Sequence, residues 1–341
     1  MQISATRGPV VESVHQVDAV VAGVDGARLV WGDGDRPVIA RSALKFLQAL
    51  PLLRTGAGHR FGVSDDELAL ACSSHSAEPV HVEAARGWLA RIGLGEGALD
   101  CGPDLPIDDD ARAAHLRSGG EALPVLNCCS GKHIGFLTVA RHLGLDHDGY
   151  IEPDHPVQAL VTEAIAEFCR YDLGDQRPGR DGCGIPTWAV PLDRLAASMA
   201  RLVASEGLTG ASAAAAGRLV ETIPSRSWWV SGTGRHEVAV VSLAAEPLLI
   251  KAGAEGVFLA GLPRRGLGVA VKASDGAGRA AEIGVSTVLA RLGVLPAEAA
   301  RRPVRNKAGV VVGELFAERT DPVAAGGGGA GAGAVPPGGD G

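Results

Sequence analysis

The feature that most constrains this chain is a change of hydrophobic period along its length. Both ends carry short apolar runs between turn signals, whereas the middle repeats apolar residues every three or four positions. Near the start, QVDAVVAGV and ARLVWG flank Asp25–Gly26, a strong hairpin signal. After the polar turn GDGDRP, the segment RSALKFLQALPLL is apolar at helical spacing, with Ser42 placed as an N-cap and Pro51 bending or ending the helix. From about residue 65 to 220 the pattern is mostly helical, as in EPVHVEAARGWLARIGL and PVQALVTEAIAEFCRYDL. From about 236 the period shortens again. HEVAVVSL, PLLIKAG, GVFLAGL and GLGVAVKAS read as strands, AGRAAEIGVSTVLARLGVL as a helix and AGVVVGELFAE as a last strand.

Strands from the two ends can therefore join one antiparallel sheet while the middle forms a helical lobe. The expectation is a two-lobed α+β fold in one domain over 1–322, with a sheet lobe over about 5–40 and 236–320 and a helical lobe over about 41–235. A cleft between such lobes favours a catalytic site. The Gly/Ala/Pro-rich tail, 323–341, is expected to be disordered.

With 46% hydrophobic residues the chain can bury a sizeable core, and with only 4% aromatics that core is built from Ala, Val and Leu. A net charge of −7 without a basic block argues against nucleic acid as a partner. The start, MQISATRGPVVESVHQ, has no basic region followed by an apolar one, and no apolar run is long enough for a membrane span. A soluble, cytoplasmic protein is the default expectation, and its six cysteines are then read as free thiols or metal ligands.

Six blocks carry chemistry. Ser42 and Lys45 form an S-x-x-K, one helical face if the segment is helical, so the amine can take the serine's proton. An N-cap serine with a solvated lysine has the same spacing. Lys251–Gly253 is a K-x-G in a strand; the pair S-x-x-K and K-x-G is the pattern of penicillin-recognising serine hydrolases, although an edge-strand lysine also fits. The polar run Cys72–Glu78 follows the apolar ELALA and either lines a site or caps a helix. In Asn127–His133, Cys129 and His133 are a possible metal pair, a cysteine–histidine nucleophilic pair, or packed groups. In Asp181–Pro186 a cysteine lies between glycines that permit close backbone approach, and Cys183 can share a metal with Cys129 or sit in a plain turn. Ser231–Arg235 departs from a phosphate loop, and Arg235 can hold a carboxylate.

Taken in order, RSALKFLQALPLL, SSHSAEPVHV, NCCSGKHIGFL, DGCGIPTWAVPLDRLA, GTGR and KAGAEGV resemble the asparaginase II family, the bacterial asparaginases unrelated to the two-threonine enzymes, over about residues 5 to 320. The resemblance implies a serine β-lactamase-like fold and an L-asparagine amidohydrolase that works through a serine acyl-enzyme. It implies two serine–lysine pairs, Ser42 with Lys45 and Ser74 with Lys251, and one zinc on Cys129, Lys132 and Cys183. His133 and Asp181 would lie close by, and Arg41 beside the substrate. A small-molecule substrate is the expected partner, with neither nucleic acid nor membrane, and a homodimer is left open. Phe46 stands where the family often has proline, which alters the packing of the helix's first turn. The alternatives are a related glutaminase or β-lactam-type hydrolase, a cysteine hydrolase using Cys129 and His133, and a catalytically silent zinc-binding protein.

Overall fold

The structure, a computed structural model, describes residues 1–174, 176–318 and 321–325. The two ends of the chain do meet in one sheet. Its strands are β1 (Gln2–Arg7), β2 (Val10–Gly23), β3 (Gly26–Trp31), β4 (Leu249–Gly253), β5 (Val257–Leu262), β6 (Leu267–Ala273), β7 (Arg301–Arg305), β8 (Val311–Ala317) and β9 (Val323–Ala324). They run in the order β7-β8-β1-β2-β6-β5-β4, with β3 also pairing β2 and β9 pairing β3, every pair antiparallel.

The long strand β2 is the organiser. Its first half pairs with β1 (Gln16 opposite Gln2), and its second half pairs with β3 on one side and with β6 on the other. Alternate side chains of a strand face opposite ways. Val17, Ala19 and Val21 accordingly enter a core with Ile283, Val288 and Leu289 of the helix Gly278–Arg291. Val20 and Ala22 enter the larger core shared with the helical middle of the chain. Leu192–Ala204, an amphipathic helix of that middle, contributes Leu195 and Met199 to this second core, against Leu259 and Ala270 of the sheet. Burial on both faces explains why β5 is continuously apolar rather than alternating.

Three expectations need correction. HEVAVVSL is a helix, His236–Leu243, with Glu237 and Val240, three apart, as its buried positions; the sheet lobe's second half thus begins with a helix. RSALKFLQALPLL is not one helix capped by Ser42. It is a 3₁₀ turn, Arg41–Leu44, followed by Lys45–Gln48 and Leu50–Arg54. Pro51 has no N–H to continue the first helix and sits in the opening turn of the second, where none is needed. In the tail, Val323 and Ala324 pair with Val30 and Leu29, so order extends past 322; residues 326–341 of that predicted disordered segment lie outside the described residues. No helix among the described residues is long and apolar enough to cross a membrane.

Candidate active site

Three lysines are almost wholly buried: Lys45 and Lys251 at 0% exposure and Lys132 at 2%. Burying an ammonium is costly unless it is bonded and paired, so their partners define the site.

Lys45 begins the helix behind the Ser42 turn. Its Nζ donates to the carbonyl of Ser73, to Ser74 Oγ at 3.0 Å and to Cys129 Sγ at 3.2 Å. Ser73 and Ser74 are presented by the helix Asp65–Ala71, which starts from a reciprocal capping box between Ser64 and Glu67. Past its end, the Ser74 backbone N–H bonds the Val230 carbonyl. Cys129 caps the buried helix Ser130–Leu143, which carries Lys132 and His133 in its first turn. Asn127 orders that entry, accepting from the Cys129 N–H and donating to the carbonyls of Cys101 and Gly102. The intervening glycine of C-S-G-K is required by packing: a Cβ on Gly131 would lie 2.3 Å from the Leu70 carbonyl oxygen.

Lys132 Nζ donates to Cys183 Sγ at 3.0 Å, and Cys183 in turn shares a hydrogen bond with Cys129. Hydrogen bonds from Cys128 and then Cys183 hold the Cys129 thiol well below the usual thiol range, against the effect of burial, with Lys45 and Lys132 adding to the shift. The bond to Cys129 and then burial push Cys183 upward. Burial lowers the Lys132 amine, but the sulfurs of Cys183 and Cys129 and the Asp181 carboxylate outweigh it and raise it. Asp181 also binds Arg41 Nε at 2.5 Å, tying the Cys183 turn to the residue before Ser42. Arg41 has φ of 52°, a left-handed conformation rare for arginine. Ser42 itself is half-buried, and among the described residues its hydroxyl makes no hydrogen bond.

Lys251 lies on β4, with Gly253 on the same face. A Cβ on Gly253 would lie 2.4 Å from the Ala40 carbonyl oxygen and 3.1 Å from the Ala43 nitrogen, so the glycine of K-x-G lets β4 press on the Ser42 turn. Lys251 Nζ donates to the Ala252 carbonyl at 2.9 Å and stands 3.8 Å from Glu237 Oε1. Burial pushes the amine down to about 8, Glu237 opposes that, and Lys45 and Arg235 add to it.

The hydrogen bonding differs from the pairing that the resemblance implies. Lys45 meets Ser74 rather than Ser42, and Lys251 meets Glu237 rather than Ser74. His133 is turned away from a cysteine partner. Tyr150 OH accepts from the Asp100 N–H and shares a hydrogen bond of 2.7 Å with His133 Nδ1. Burial keeps His133 neutral, well below the usual imidazole range. His75 next to Ser74 bonds Ser130 Oγ at 2.9 Å through Nε2 while Nδ1 accepts from Ala77. Sequence reasoning missed Glu237, hidden in a segment read as a strand, and gave no role to Tyr150. Lys132 lines a small enclosed space with Gln48, Leu52 and Phe136. A groove of about 780 Å³ is lined by Ala77, Pro79, Val82, Arg86, Ala111 and His115 and includes none of the three lysines.

Two buried thiols, Cys129 and Cys183, and the Lys132 amine bonded to Cys183 are a donor set whose chemistry suits zinc once their protons are displaced. Among the described residues, the only cluster of three His, Cys, Asp or Glu groups is Asp146, His147 and Asp148, a sequence-local run with both acids exposed.

Curated proteins give no match to the chain. Solved structures similar to it include a β-lactamase from Mycobacterium bovis, 14% identical, covering 82% of this chain and 95% of that one at a TM-score of 0.42. Mglu in its tris and glutamate form is 13% identical, covering 82% and 59% at 0.38, and a simvastatin synthase from Aspergillus terreus is 12% identical, covering 75% and 84% at 0.37. The profile of the family described as L-asparaginase II matches residues 3–317, which takes in every residue of the site above, and the chain belongs to that family.

Proposed function

We propose that this amidohydrolase cleaves the side-chain amide of L-asparagine to give L-aspartate and ammonia. The observation that carries the reading is Lys45: a wholly buried amine, one helical turn from Ser42 and bonded to Ser74 Oγ at 3.0 Å, in a chain of this family. Ser42 gives its proton to Lys45 and attacks the amide carbon, with backbone N–H groups near Ser42 stabilising the developing oxyanion. The tetrahedral intermediate expels ammonia after a proton passes from Lys45 to the nitrogen through Ser74, which Lys45 bonds and which the family resemblance pairs with Lys251. Water, giving a proton to Lys45, then attacks the β-aspartyl ester, and that proton passes to Ser42 Oγ as the ester bond breaks. Zinc, held by Cys129, Lys132 and Cys183, would supply Lewis acidity or a fixed anchor for a substrate oxygen. Arg41 and Asp181 fix the turn that carries Ser42 with respect to those ligands.

One extra methylene is worth only ~1–3 kcal/mol in a pocket, so glutamine is the natural competitor. The cysteine-hydrolase alternative is less well supported, because His133 Nδ1 bonds Tyr150 and Cys129 bonds Lys45 rather than an imidazole. Ammonia release measured side by side on asparagine and glutamine, with lactam opening on a β-lactam, tests the reading. Asparagine is expected to give the highest kcat/KM, and no turnover of asparagine by the zinc-loaded protein overturns it.

A further inference from the structure

We infer that Glu237 is the positioning residue of Lys251, a buried carboxylate that holds this ammonium in place and keeps it charged. The inference rests on Lys251 being a working group of the proposed active site.

Glu237 is a carboxylate at 1% exposure, and isolated buried carboxylates are unstable. Lys251, Arg235 and backbone N–H groups compensate it. Oε1 stands 3.8 Å from Lys251 Nζ, and the same oxygen accepts the Ala252 backbone N–H at 3.3 Å. The second bond fixes the carboxylate to β4 itself, the strand that carries Lys251, so acid and amine are held to one backbone. The charged groups around Lys251 come from every element packed on it: Glu237 from the helix His236–Leu243, Arg235 just before it, Lys45 from the Ser42 helix, Cys72 from the end of Asp65–Ala71, and Cys128 ahead of Ser130–Leu143. Lys45 and Arg235 repel the ammonium, and the Glu237 carboxylate attracts it. Without that carboxylate, burial and two like charges drive the proton off.

The sign of the effect does not depend on what Lys251 does in turnover. Removing the Glu237 charge lowers the pH at which Lys251 loses its proton, so any limb of the pH profile that reports Lys251 moves to lower pH. An opposite charge within about 4–6 Å shifts a pKa by about 1–3 units, which sets the expected scale.

The chain has only five lysines, so protein labelled with ¹³C at lysine Cε gives few resonances. The Lys251 signal is assigned by its loss in Lys251→Met. Titrating wild type and Glu237→Gln, the midpoint of Lys251 is expected to fall by about one pH unit or more in the variant. The limb of the pH profile for ammonia release from asparagine is expected to move in the same direction. Should Glu237→Gln fail to fold, Glu237→Asp keeps the charge one methylene farther away, and a smaller fall is expected. A midpoint that stays in place or rises in a folded variant overturns the inference, even if stability drops, since a purely structural acid would give that result. A midpoint that falls in a chain that releases no ammonia from asparagine leaves Glu237 in this role and overturns the substrate reading instead.

Discussion

At the scale of single residues, the lysines explain themselves by their scarcity. The chain has 27 arginines and five lysines, and three of the five lysines are buried at the site. A chain that otherwise uses arginine keeps lysine where an amine must bind, release or share a proton, because a guanidinium stays charged. Lys45→Arg is therefore expected to fold poorly or be nearly inactive, and an active variant would show that another group takes the Ser42 proton. Ser42→Ala is expected to fold normally, since its hydroxyl has no partner to lose, and to reduce kcat for asparagine by several orders of magnitude. Lys251 carries a stability consequence. Its folded value is about 8 against an unfolded value of ~10.4, so between those limits the unfolded chain holds a proton the folded chain has released. Stability therefore rises with pH across that window, and below it the full burial penalty, of order 3 kcal/mol, is present. Urea denaturation from pH 7 to 10 is expected to show this rise in wild type relative to Lys251→Met. The residues proposed to bear the chemistry stand out as motifs, but their bonding does not. Nothing in the spacing of Ser42 and Lys45 tells that the amine reaches across to Ser74, and Glu237 belongs to no motif.

At the scale of elements, the sequence reveals what periodicity can reveal. The hairpin at Asp25–Gly26, the strands β4, β5, β6 and β8 and the long helices follow their apolar patterns. Two strands left little signal: β1 is QISATR, built on small residues, and β7 is the polar edge strand RRPVR. HEVAVVSL misleads for a physical reason. Its valines favour strands, yet the core takes only Glu237 and Val240 and leaves Leu243 53% exposed, a helical spacing set by packing. The contact of β4 with the Ser42 turn gives a test at this scale. Gly253→Ala places a methyl against the Ala40 carbonyl, so a loss of about 1–3 kcal/mol in stability is expected, together with a drop in kcat as the turn is displaced. Calorimetry beside the ammonia assay checks both, and an unchanged kcat would show that the turn absorbs the methyl without moving Ser42.

At the scale of the whole molecule, the site is assembled from segments far apart in the chain: Ser42, Ser74, the Cys129–Lys132 run, Cys183 and Lys251. The proposed metal would cross-link two of them. Cys129→Ser and Cys183→Ser are expected to purify without zinc and to melt at lower temperature, while Cys128→Ser keeps about one equivalent. Elemental analysis decides it, and metal retained by Cys129→Ser but lost from Cys128→Ser would move the site by one residue. The joining of both chain ends in one sheet also sets a timetable. Ala22 of β2 pairs with Gly268 of β6, about 250 positions later. At ~5–20 residues per second of synthesis, β2 waits roughly 12–50 seconds for that neighbour. For most of that interval the ribosome carries a chain that has Ser42 and not yet Lys251. The proposed site is therefore completed late, when the strands made last join those made first.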